Sequence, residues 1–108
     1  MIRQEFQECT DEEQLLLVQK MGFGVYSLQV GSYTVRTYRI GSFIVSIYER
    51  GGEKLVLSFD DIAVQGSLFA AAGAKVLDPL IAYRDQCIAA EDHVTADRIN
   101  TWLELVEA

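Results

Sequence analysis

Gly31-Ser32, Gly41-Ser42 and Gly51-Gly52 are two-residue turn signals placed ten positions apart, and the runs between them are rich in Val, Ile, Tyr, Phe and Thr. A two-residue hairpin loop is mostly type I′ or II′, because those turns twist with the strands they join. Type II′ needs positive φ at its first central residue, where a side chain is disfavoured. Gly-Ser supplies a glycine there twice, and Gly-Gly suits either primed type. Corners at this spacing leave eight residues per strand, or about 26 Å of extended chain. The pattern predicts a four-stranded antiparallel meander with strands at about 23–30, 33–40, 43–50 and 53–60.

The register follows from the corners. Arg50 should face Glu53 and Glu49 should face Lys54, two opposite-charge pairs directly across the ladder. Tyr48 then faces Leu55, Ile47 faces Val56, and Ile44 faces Phe59. A slip of one residue would send every side chain to the other face and lose both charge pairs. Face one collects Tyr26, Leu28, Val30, Tyr33, Val35, Ile44, Tyr48, Leu55, Leu57 and Phe59. Face two collects Val25, Tyr38, Ile40, Phe43, Val45, Ile47 and Val56, with Arg36, Gln29 and Glu49 towards one end. An antiparallel sheet with one wet face alternates cleanly between apolar and polar, and this one does not. Helices are therefore expected on face one. A second cover, helix or partner chain, is expected over at least the Ile40/Phe43 end of face two.

The remainder reads as helix. Thr10-Asp11-Glu12-Glu13 is a capping-box pattern, followed by Leu15 to Val18 and Met21 and closed by Gly22, which places a helix at about 11–21. Residues 1–9 suit a helical face or one side of a strand, and a short extended segment is the reading adopted. Ser67 opens a slim, alanine-rich helix at about 67–77. Asp78-Pro79 starts another at about 79–90, since proline fits a first helical position. Glu91-Asp92 breaks the periodicity, and a last helix runs over about 93–106. The whole is one α+β domain, residues 1–108.

Half the residues are hydrophobic and the formal charge is −7, so the chain can bury a core without staples. The charge argues against nonspecific contact with nucleic acid or anionic membrane, both of which need Lys and Arg patches. Cys9 and Cys87 are too few for a disulfide framework or a metal knuckle. With no apolar leader or spanning run, a reduced, cytoplasmic protein is expected. No cofactor, no metal site and no catalytic constellation is expected either. His93, the one histidine, reads as a solvated residue at a helix start.

Two functional expectations result. The first is a noncatalytic protein-interaction domain that forms a homo-oligomer, or binds another protein, through the apolar part of face two. Tyr38, Ile40, Phe43, Val45 and Ile47 would be the interface. The second is a small-molecule binder or enzyme with a pocket between sheet and C-terminal helices, lined by Tyr26, Tyr48, Arg84 and Trp102. Arg84 falls at the centre of the stripe made by Leu80, Ile81, Cys87 and Ile88. It would either lay its stem along apolar surface or pair with a carboxylate such as Asp60 or Asp61. Arginine among the face-two aromatics Tyr38 and Phe43 could stack nucleic-acid bases, but the expected glycine-aromatic strand motif is missing and no nucleic acid is expected as partner.

Overall fold

A computed structural model describes residues 1–30, 33–61 and 78–107. Four antiparallel strands, β1 (Phe23–Val30), β2 (Tyr33–Ile40), β3 (Phe43–Arg50) and β4 (Glu53–Phe59), form one sheet in the order β1-β2-β3-β4. Gly41 sits at φ 58° and Ser42 keeps negative φ, as a II′ corner requires, whereas Gly51 and Gly52 are both positive at 58° and 85°, as in type I′. The Gly31-Ser32 corner and the helix expected at 67–77 lie outside the described residues.

The ladder between β3 and β4 keeps the expected register, with Arg50 opposite Glu53, Glu49 opposite Lys54 and Ile44 opposite Phe59. Between β1 and β2 the register shifts. Tyr26 pairs with Thr37 but Gly24 pairs with Tyr38, so Val25 is an extra residue in a β-bulge. Val25 was expected on face two across from Tyr38. The bulge leaves it 41% exposed instead.

Each face has its own core. On face one, Tyr33, Val35, Ile44, Tyr48, Leu55, Leu57 and Phe59 pack with residues of two C-terminal helices, α3 (Asp78–Ala89) and α4 (His93–Glu107). Trp102 anchors this side edge-on to Tyr33 at 5.8 Å, and its Nε1–H donates to the Glu53 carbonyl at 3.2 Å. On face two, Ile40, Phe43, Val45 and Val56 pack with Phe6 and Val18. These two come from α1 (Arg3–Gln7) and α2 (Asp11–Met21). The expected second cover is thus the chain's own N-terminal helices.

The expectation of an extended segment at residues 1–9 is overturned, since Arg3–Gln7 is helical. Phe6 decides this by filling the face-two core against Phe43, with ring centroids 5.5 Å apart. Helix α2 starts where its capping box predicts. Thr10 Oγ1 accepts from the Glu13 amide at 3.2 Å, and Glu13 Oε1 accepts from the Thr10 amide at 3.0 Å. These bonds hold the Glu13 carboxyl below the usual range.

Candidate functional site

The two edges of the sheet are finished differently. Backbone hydrogen bonding alternates along an antiparallel strand, so each residue turns its N–H and C=O either to one neighbour or to the other. Ile40 and Phe43 flank the Gly41-Ser42 corner and pair across it. Counting from there, Val56 and Ser58 of β4, and Ser27 of β1, turn their backbone groups away from the sheet.

The β4 edge is guarded at its Ser58 end. Arg3 Nη2 donates to the Ser58 carbonyl at 2.9 Å, its Nε donates to Ser58 Oγ at 3.1 Å, and its Nη1 reaches Asp60 Oδ1 at 3.3 Å. Farther along, Arg98 of α4 donates to Asp11 of α2 at 2.7 Å and to Gln14 Oε1 at 3.4 Å. Gln14 in turn donates from Nε2 to the Phe6 carbonyl at 3.0 Å. This polar seam ties the helices of face two to those of face one around β4.

No charged side chain among the described residues guards the β1 edge in this way. Among the described residues no strand lies beyond it, and its sequence FGVYSLQV has no charge and no proline, the usual guards of an exposed edge. Phe23 is 76% exposed, and Met21 and Val25 beside it are exposed as well. At the bulge a shallow cavity of about 310 Å³ is lined by Gly24, Val25, Tyr26, Ser27, Arg36, Thr37 and Tyr38. Arg36 and Tyr38 also wall a larger groove of about 440 Å³ between α2 and face two, with Leu15, Val18, Ile47 and Lys54 among its lining.

Charge is distributed unevenly about this edge. No Asp or Glu occurs from Gln14 to Tyr48, a stretch that holds Lys20, Arg36 and Arg39. Elsewhere Arg3, Lys54, Arg84 and Arg98 stand in ion pairs with Asp60, Glu49, Asp85 and Asp11. Arg36 and Arg39 are exposed and make no ion pair among the described residues. Overall net charge conceals this segregation. A running count of acids along the chain would have exposed it.

The residues expected to line a small-molecule pocket do not converge. Tyr48 and Trp102 meet as core rings 6.5 Å apart. Tyr26 is half-buried on β1 at the rim of the bulge cavity. Arg84 lies between α3 and α4, where it donates to Asn100 Oδ1 at 3.0 Å and to Asp85 Oδ1 at 3.2 Å. The expected partnership with Asp60 or Asp61 is replaced, because Arg3 takes Asp60 and Asp85 is the carboxylate next to Arg84.

Of the residues expected as an interface, Ile40, Phe43 and Val45 are buried beneath α1 and α2, and Tyr38 and Ile47 are half-buried at the margin of the same cluster. Phe43 is therefore not exposed for base stacking. Burial pushes the Tyr83 hydroxyl up to about 12 and raises the Cys87 thiol, so both stay protonated at neutral pH. His93 is exposed at the start of α4. The described residues hold no group of three or more His, Cys, Asp or Glu placed to share a metal, and no helix among them is long and apolar enough to cross a membrane.

No protein-family model, no curated protein and no solved structure matches this chain.

Proposed function

We propose that the chain is a noncatalytic protein-interaction domain that receives an extended segment of its partner on the open edge of β1. Strand addition of this kind draws affinity from main-chain hydrogen bonds and specificity from alternate side chains. One observation carries the reading: of two sheet edges, β4 is guarded at Ser58 by Arg3, and β1 is long, uncharged, lined by exposed Phe23 and Val25, and without such a guard among the described residues. The apolar part of face two does not serve this role, because a partner would first have to lift α1 and α2 from it.

The form of this reading that needs no other molecule is pairing of two copies, β1 against β1. Sedimentation and light scattering over about 1–500 µM, a span covering weak association, test it together with the variant Ser27→Pro. That proline removes an N–H directed away from β2 and leaves the β1–β2 ladder intact. Dimers, or heat-induced aggregates, that disappear in Ser27→Pro are the expected result. A wild-type chain that stays monomeric and aggregates no faster than the variant would remove the pairing of two copies through this edge.

A further inference from the structure

We infer that the segment received by β1 is an extended peptide rich in carboxylates. The inference rests on the strand-addition reading above and adds the chemistry of the partner. Arg36 and Arg39 lie on β2, the strand adjoining the open edge, Arg36 opposite Ser27 and Arg39 opposite Phe23. Three positions separate them, so in a strand they project to opposite faces. An incoming strand would therefore meet a guanidinium above the sheet and another below it.

The distances allow this. Neighbouring strands lie about 4.8 Å apart, so an added strand runs about 10 Å from β2. An extended Arg36 and a glutamate together span that gap, and Ser27 opposite Arg36 is too short to obstruct the path, whereas Arg39 reaches an added strand past Phe23. The cavity at the bulge, bordered by Gly24, Ser27 and Arg36, leaves room for the carboxylate. Neither arginine has an ion-pair partner to give up among the described residues, and Lys20 adds a third positive charge in the same acid-free stretch.

A second copy matches the edge less well. Its own β1 edge offers backbone groups but brings another Arg36 and Arg39 instead of carboxylates, and the rest of its surface carries the charge that makes the chain −7 overall. An acidic strand satisfies both the backbone and the charge, through charge-assisted hydrogen bonds to arginine.

The test uses two fluorescently labelled, end-capped octapeptides, one alternating Glu with Thr and one alternating Lys with Thr, titrated with the full chain at low salt. The Glu peptide should bind at least about tenfold more tightly than the Lys peptide, the scale of one charge-assisted contact, and added salt should erase the difference. The double variant Arg36→Glu with Arg39→Glu should reverse the preference, and Ser27→Pro should abolish binding of both peptides. If the double variant fails to fold, the salt titration of the wild-type chain decides alone. Equal binding of both peptides, or a self-dimer that neither displaces, would overturn the acidic partner and leave the strand-addition reading standing. Glu-peptide binding that survives Ser27→Pro would also overturn it, as a charge contact without strand addition. Failure of both peptides in a chain that does not self-associate would overturn the two together.

Discussion

Gly41 holds a φ of 58°, and a Cβ there would sit 3.3 Å from the Met1 carbonyl oxygen. Gly41→Val should therefore cost about 1–3 kcal/mol through left-handed strain, read as a lower denaturation midpoint. Glu91 offers the converse case. It is a non-glycine residue at positive φ, 62°, and it ends α3 with its amide bonded to the Ile88 carbonyl at 3.1 Å and the Asp92 amide bonded to the Cys87 carbonyl at 2.8 Å. That is a Schellman arrangement whose left-handed position prefers glycine. Glu91→Gly should stabilise the chain by about 0.5–1 kcal/mol, measured in the same denaturation series. Buried tyrosines set the alkaline limit. Tyr33 and Tyr83 are pushed up to about 12 by burial, and in an unfolded chain each ionises near 10. Their native protons are retained where the unfolded chain releases them, so stability is full below about pH 10 and falls as pH rises through 12. Tyr33→Phe should flatten that fall, followed by chemical denaturation at a series of alkaline pH values.

At the scale of elements, the strands were legible because a corner glycine and period-two alternation are local signals. The helices over 11–21 and 93–106 were legible for the same reason, through a capping box and a helical stripe. Helix α1 was not. Five residues carry too little periodicity to decide, and Phe6 earns its helical turn only by reaching Phe43, far along the chain. The bulge at Val25 was equally hidden, since nothing in the sequence between Gly24 and Tyr26 marks a second residue set against one. Arg3 is the element-scale guard whose loss should be felt. Arg3→Ala strips Ser58 of both its carbonyl and hydroxyl partners. The expected cost is about 1–3 kcal/mol, with faster aggregation through a reopened β4 edge, both visible in a thermal melt followed by scattering.

At the scale of the whole molecule, the sheet is a middle layer with a separate core on each side. Removing residues 1–21 deletes one cover and bares Ile40, Phe43, Val45 and Val56. The shortened chain should bind a hydrophobic dye and self-associate, whereas the full chain should leave the dye dark. A truncated chain that stays monomeric and dye-negative would mean α1 and α2 are not what keeps face two dry. The sequence alone determined the Gly41-Ser42 and Gly51-Gly52 corners, the β3–β4 register and the need to cover both faces, because each depends on residues close in sequence or on strict alternation. Tertiary structure decided which cover goes where, which edge Arg3 guards, and that Arg36 and Arg39 lie on the strand beside the other edge. Those outcomes depend on contacts between residues such as Arg3 and Ser58, or Asp11 and Arg98, which lie far apart in the chain and leave no periodic trace in it.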